Sequence, residues 1–189
     1  MPERAGYTGG VNIHPLFVHF PIGLLATYSL LELAAFFVSP VRRESWLFSV
    51  KAFLLFTGTL FSFLAIVTGG MAEDLISGSN PRAYIIEVHE PVAISATLAY
   101  VVLAAAYLVR MFDQMGWGNR MVGVNRLFIW IWNVKRSVSD AILDSWFLPL
   151  LAFIGLMLIT IAGALGAAIV YGHDIDPFVS FIYHLFWVY

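Results

Sequence analysis

Histidine is the residue of this chain best suited to chemistry, because imidazole is a common ligand of haem iron, zinc and copper. Four of the five histidines lie where hydrophobic segments meet polar ones, namely His14, His19, His89 and His173, and His184 lies in the aromatic tail. An ionisable residue near the membrane phase is costly, so it indicates a functional site by default. The histidines are therefore the first candidates for a cofactor or metal site.

Composition narrows the class of protein that carries them. The chain is 60% hydrophobic and 12% charged, whereas a soluble domain has about 25% charged residues. The formal net charge is −2, so no basic excess indicates a nucleic-acid partner. Cysteine is absent, which excludes disulfides, iron–sulfur clusters, thiolate zinc sites and covalently attached c-type haem. Any cofactor must be held noncovalently.

Four hydrophobic stretches are long enough to cross a bilayer core of about 30 Å, which takes about 20 helical residues. The predicted spans cover residues 15–38, 46–69, 84–110 and 147–171. The pair Gly69-Gly70 predicts the end of the second span. Because no soluble domain fits in the remainder, we expect an all-α integral membrane protein. Residues 1–189 then form a single transmembrane domain, a four-helix bundle.

The basic residues predict the orientation. Eight of the ten lie in the two connections after spans one and three: Arg42, Arg43, Lys51, Arg110, Arg120, Arg126, Lys135 and Arg136. The positive-inside rule places these connections in the cytoplasm and both termini in the periplasm. Residues 125–143 predict an amphipathic helix on the cytoplasmic surface, with partner docking as the alternative. The aromatic tail at 177–189 is too short to span and is expected at the outer interface.

This orientation places His14, His19, His89 and His173 at the outer end of the bundle. His19 and His89 lie at similar depths in two parallel spans, which suits a flat haem held between facing helices. Small residues follow His19 and His89 along the same faces of their helices. Such residues also allow helices to pack closely without any cofactor.

A second site is expected from the angle between two of the histidines. His14 and His19 are five residues apart, or about 140° around a helix, so one face cannot present both to the same iron. We therefore pair His14 with His173 in a separate site. His184, among the aromatic residues of the tail, is more typical of an interfacial residue.

Other polar residues allow further roles. Glu87 and Glu90 are expected to accept hydrogen bonds from ligating imidazoles. A zinc or copper ion held by three histidines with Glu90 or Asp174 is an alternative, although no HExxH spacing supports it. Glu32 lies inside the first span with no obvious partner in the sequence. It is either a proton or quinone contact, or a carboxyl that is protonated or reaches for the interface.

Four segments carry a family resemblance: HPLFVHFPIGLLA at 14–26, TGGMAED at 68–74, HEPVAISAT at 89–97 and YGHD at 171–174. The chain resembles a family of small four-helix bacterial membrane proteins of unknown function, marked by HPxxVHFP near the start. Its architecture is similar to that of b-type cytochromes with two histidine ligands. Many of those place one haem near each membrane face, whereas the histidines here lie only at the outer end.

The leading hypothesis is a b-type cytochrome subunit with one or two haems b near the periplasmic face of the bacterial inner membrane. It would transfer electrons between quinone, or a partner enzyme, and a periplasmic carrier such as a cytochrome. We expect an electron-transfer subunit in contact with lipid and other subunits of a membrane complex, rather than a stand-alone enzyme. The alternative is a cofactor-free accessory or structural subunit, or a carrier of small solutes or metal ions.

Overall fold

A computed structural model describes residues 12–38, 45–74, 82–120 and 125–187. The helices are α1 (His14–Phe37), α2 (Ser45–Asp74), α3 (Ala83–Gln114), α4 (Trp117–Arg120), α5 (Arg126–Leu143), α6 (Phe147–Tyr171) and α7 (Pro177–Phe186). The described residues contain no β-strand, which confirms the all-α prediction. Four of the described helices, namely α1, α2, α3 and α6, are long and apolar enough to cross a membrane.

The second span differs from the prediction at its end. Helix α2 continues through Gly69-Gly70 to Asp74 instead of stopping at the two glycines. Glycine lowers helix propensity by about 1 kcal/mol relative to alanine. Leaving the helix inside an apolar phase would cost more, because backbone groups there must remain hydrogen-bonded within the segment. The glycine pair therefore does not end the helix, and only Gly69 of the two lies close to another side chain, that of His14.

The four long helices form a bundle in which α1 and α3 are diagonally opposed. Helix α1 packs against α2 and α6, and α3 packs against the same two helices. Helices α1 and α3 begin where α2 and α6 end, at what we call the histidine end. The opposite end, where α1 approaches the start of α2, is called the Glu32 end, because Lys51 there contacts Glu32.

Helix α5 packs against α3 at the Glu32 end. The hydroxyl of Ser139 donates to the carbonyl oxygen of Ala106 at 2.8 Å, and Arg110 contacts Asp140 at 3.0 Å. Leu143 is buried, whereas five large apolar side chains of α5 are exposed: Leu127, Phe128, Trp130, Val134 and Val138. This amphipathic pattern agrees with the predicted helix, and its place on the cytoplasmic surface remains a prediction.

The aromatic tail forms the short helix α7 at the histidine end. Asp176 caps it, with Oδ1 accepting from the backbone N–H groups of Phe178 at 2.8 Å and Val179 at 2.9 Å. Val179 and Ile182 are buried in a cluster that includes Leu165 of α6. The tail is therefore anchored to the bundle through one apolar face.

Candidate functional site

His14 is the first residue of α1 and its side chain packs against α2. The Nδ1 atom lies 3.1 Å from Oγ1 of Thr68. The hydroxyl of Thr68 donates its only proton within α2, to the carbonyl oxygen of Leu64 at 2.9 Å. Thr68 is then left to accept from His14, so we assign the proton to Nδ1 and a free lone pair to Nε2. A Cβ atom on Gly69 would lie 3.3 Å from Cε1 of His14.

His89 occupies the corresponding place on α3 and packs against α6. A Cβ atom on Gly166 would lie 3.5 Å from Cε1 of His89, and the backbone of Ala162 also faces the ring. The Nδ1 atom is buried and has no hydrogen-bond partner among the described residues. An unpaired polar atom in an apolar interior costs about 1–3 kcal/mol. One ring nitrogen of His89 is therefore available to a ligand.

The structure places His14 and His89 on diagonally opposed helices at the histidine end. His14 packs against α2 and His89 packs against α6. Each is flanked by a glycine from one of the two remaining helices, Gly69 on α2 and Gly166 on α6. The arrangement offers two imidazoles, of which one has an assigned free lone pair and the other an unpaired nitrogen.

His19 does not belong to this pair, contrary to the prediction that it meets His89. Its side chain is exposed on the surface of α1. The buried positions Pro21, Tyr28 and Ala35 recur every seven residues, and His14 continues the same row. His19 is two residues from Pro21, or about 200° around the helix, so it faces away. The sequence prediction compared depth in the membrane but not the helix face.

His173 and His184 lie in a separate aromatic cluster with α7. The ring of His173 stacks on Tyr183 at 4.4 Å between centroids and meets the ring of His184 at 6.1 Å. The Nδ1 atom of His173 is 2.7 Å from Oδ1 of Asp174, and Nδ1 of His184 is 2.7 Å from the carbonyl oxygen of Ser180. The ring contacts of His173 are therefore with Tyr183 and His184 of α7 rather than with His14.

The predicted carboxylate partners of the histidines are also placed elsewhere. Glu87 and Glu90 are exposed and make no hydrogen bond to Nδ1 of His89. Within the described parts of the chain, no three His, Asp or Glu side chains form a group that could hold a metal ion. The alternative of three histidines with Glu90 or Asp174 is therefore not assembled there.

A second polar cluster, which the sequence did not reveal, surrounds Glu32. Its carboxylate is 3% exposed, Oε2 accepts from Nζ of Lys51 at 2.8 Å, and Oε1 accepts from the hydroxyl of Tyr107. Lys51 and Tyr107 are 19 and 75 residues away along the chain. The sequence signal was that Glu32 continues the buried row of α1, four residues after Tyr28. That spacing predicts an inward carboxyl but not its partners.

Tyrosines fill the bundle interior next to this cluster. The ring of Tyr28 packs edge-on against Tyr107 at 5.9 Å and Tyr100 at 6.3 Å. The hydroxyls of Tyr100 and Ser29 lie 2.9 Å apart. A Cβ atom on Gly155 would lie 2.8 Å from Cζ of Tyr100, so this glycine makes room for the ring.

The relationship of the chain to known proteins agrees with this architecture. A family model described as "Predicted membrane protein (DUF2231)" matches residues 10–177. No curated protein and no solved structure matches the chain. The function therefore has to be inferred from the geometry.

Proposed function

Because the chain belongs to the DUF2231 family of predicted membrane proteins, whose description names no activity, we propose a function from the histidine end. The protein is a membrane b-type cytochrome subunit that holds one haem b between His14 and His89. The observation that carries this proposal is the placement of these two imidazoles on diagonally opposed helices at one end of the bundle, each beside a glycine of a neighbouring helix. Axial ligation by side chains of facing helices is how helical bundles hold cofactors in their core.

The donor set fits haem iron. Two imidazoles are a donor set that would hold haem iron, and the backbone of Ala65 also faces the ring of His14, as that of Ala162 faces His89. His14 is assigned a free Nε2 lone pair because Nδ1 donates to Thr68. An orienting hydrogen bond on the second ring nitrogen is the usual companion of a ligating histidine. His89 offers an unpaired nitrogen.

The neighbouring residues fit a large ring as well. Gly69 and Gly166 lie directly beside the two imidazoles, where larger side chains would occupy the volume next to the ligands. The flanking positions Ala162 and Ala93 are also small. Small residues alone indicate close helix packing. Here they accompany two converging ligands, which is why we assign them to a cofactor.

Bound haem supplies a one-electron couple. His14 and His89 would hold the group, Thr68 would orient His14, and the apolar helix faces around the site would influence the potential. We place the electron partners at the nearby membrane face: quinone or a partner enzyme on one side, a periplasmic carrier on the other. The excess of basic residues in the connections at the Glu32 end supports a periplasmic histidine end.

The test is the visible spectrum of the full-length protein, produced with ample haem supply. Wild type should show low-spin b-type bands and about one haem per chain by pyridine haemochrome analysis. We expect His14→Ala and His89→Ala each to remove these bands. His19→Ala is the matched control, because it removes an imidazole from the same helix as His14, and it should retain full haem.

Three outcomes would contradict the proposal. A colourless wild-type protein with an intact helical fold would favour the cofactor-free accessory subunit. Loss of haem in His19→Ala, with retention in His14→Ala, would restore the pairing expected from the sequence. Two haems per chain, with one lost in His173→Ala, would restore the second site.

A further inference from the structure

The Glu32 end contains a partly open cavity that the haem proposal does not use. Its volume is about 160 Å³, and its walls come from α1, α2, α3, α5 and α6. An engineered cavity of about 150 Å³ in another protein takes up one benzene molecule. The cavity therefore has the size of a single six-membered ring with small substituents.

The floor of the cavity is polar but carries no net charge. Glu32 and Lys51 neutralise each other across 2.8 Å, and Tyr107 donates to the same carboxylate. At the rim, Arg110 is paired with Asp144 at 2.6 Å. Since these charges are compensated within the protein, the cavity favours an uncharged ligand over an anion or a cation.

The floor nevertheless retains hydrogen-bonding capacity. An ammonium group has three N–H donors, and the contact of Lys51 with Glu32 uses one of them. A carboxylate has about four lone-pair sites, of which Lys51 and Tyr107 occupy two in Glu32. A ligand oxygen that accepts from Lys51, or a ligand hydroxyl that donates to Glu32, would be satisfied here.

The walls are aromatic and border the lipid-facing surface. Phe48 stacks on Tyr107 with ring centroids 4.9 Å apart and planes 11° apart, which favours a flat ligand beside them. Phe36 lines the cavity and is 48% exposed, next to Phe37 at 78%. In a helix long enough to cross the membrane, these exposed side chains contact the acyl region. A ligand dissolved in the bilayer can reach the cavity from this side.

We propose that this cavity binds the headgroup of a membrane quinone or quinol. One ring oxygen accepts a hydrogen bond from Lys51, and in the quinol form a ring hydroxyl donates to Glu32. The lipid tail remains in the bilayer beside Phe36. The cavity lies about 27 Å from His14 along α1, at 1.5 Å per residue. The inference is independent of haem, because it rests on residues of the opposite end, and the quinone bound there is not the electron partner proposed beside the histidines.

The experiment is calorimetric titration of the full chain in lipid nanodiscs with decylubiquinone, after subtraction of the heat from empty nanodiscs. We expect saturable binding of one molecule per chain. Lys51→Met should weaken it by about tenfold or more, because a charged donor is lost. Ala35→Leu should abolish binding, since Ala35 lines the cavity and the added atoms fill it. Lys135→Met, an exposed lysine on α5, is the matched control and should bind normally.

Each variant is first checked for its unfolding midpoint, because Lys51→Met leaves Glu32 unpaired. Ala35→Leu keeps the ion pair and tests occupancy even where Lys51→Met is unstable. The proposal is overturned by the absence of saturable binding to wild type, by unchanged affinity in folded Ala35→Leu, or by equal affinity for decylbenzene. His89→Ala should bind the quinone normally, so failure of the haem proposal and failure of this one are distinguishable.

Discussion

The same four long helices form both ends of the bundle, but their polar residues are arranged differently at each end. At the histidine end, His14 and His89 retain nitrogens available to a ligand, beside Gly69 and Gly166. At the Glu32 end, tyrosine rings fill the interior, and the buried carboxylate is bonded to Lys51 and Tyr107. The difference is one of degree: Nδ1 of His89 has no hydrogen-bond partner among the described residues, whereas Glu32 and Lys51 bind each other and offer a ligand only their remaining hydrogen-bonding sites.

The glycines of the two ends also differ in how closely they approach neighbouring side chains. A Cβ atom on Gly155 or Gly58 would lie 2.8 Å or 2.6 Å from a side chain of the bundle interior. These glycines are needed for the packing of Tyr100 and Leu25. At Gly166 the corresponding distance is 3.5 Å, which is ordinary van der Waals contact. A stripe of small residues in the sequence therefore does not distinguish close packing from a cofactor site, whereas the contacts do.

The largest expected effect tests whether the ion pair holds the Glu32 end together. Glu32→Leu should lower the free energy of unfolding by about 3–5 kcal/mol, because it leaves the charge of Lys51 buried without a partner. The measurement is unfolding in mixed micelles with increasing SDS. The double variant Glu32→Leu/Lys51→Leu should recover most of the loss. Equal destabilisation of the single and double variants would show that the pair is not the cause.

The next effect compares glycines of the same helix at the two ends. Gly155→Ala should cost about 1–3 kcal/mol, since the new methyl group overlaps the ring of Tyr100. Gly166→Ala should be neutral or stabilise the haem-free fold by up to about 1 kcal/mol, through the higher helix propensity of alanine. Both values come from the same SDS titration. A larger loss of stability for Gly166→Ala than for Gly155→Ala would show that Gly166, and not Gly155, is the tightly packed glycine.

The smallest effect concerns the aromatic cluster beside the histidine end. The hydrogen bond to Tyr84, at 2.6 Å, raises the pKa of Tyr183 to about 12, above the ordinary value of about 10. The hydrogen bond therefore stabilises the fold below about pH 10, and this stabilisation is lost as the pH rises to about 12. Tyr84→Phe should return the pKa of Tyr183 towards 10.

Difference absorbance near 295 nm follows this titration, with Tyr183→Phe to identify the signal. The control is Tyr171→Phe, an exposed tyrosine at the end of α6, which should leave the pKa of Tyr183 unchanged. An unchanged pKa in Tyr84→Phe would show that the hydrogen bond does not set it.

Helix positions could be predicted from the sequence, because they depend on local composition. The fourth span was predicted at 147–171, and α6 has the same bounds. Hydrophobicity and length are properties of a segment by itself, so they predict the crossing of a bilayer without knowledge of its neighbours. The end of the second span at Gly69 was wrong, because the tendency of glycine to end helices was weaker than the need to keep backbone groups bonded.

The site could be predicted only in part. Three of the proposed ligands, His14, His89 and His173, do lie at one end of the bundle, as the order of the spans implies. The sequence did not show that His19 is exposed, although the seven-residue row from His14 to Pro21 and Tyr28 was already visible. Equal depth on two helices is a weaker criterion than a shared inward face.

By itself, the sequence determined that this is a helical membrane protein whose histidines gather at one end, since composition and chain order suffice for both. Only the tertiary structure decided that His14 packs against α2 and His89 against α6, and that Glu32 binds Lys51 and Tyr107. The physical reason is that partners on different helices depend on how each helix is rotated about its axis. That rotation is set by side chains of neighbouring helices, such as Gly155 making room for Tyr100, and no single segment contains this information.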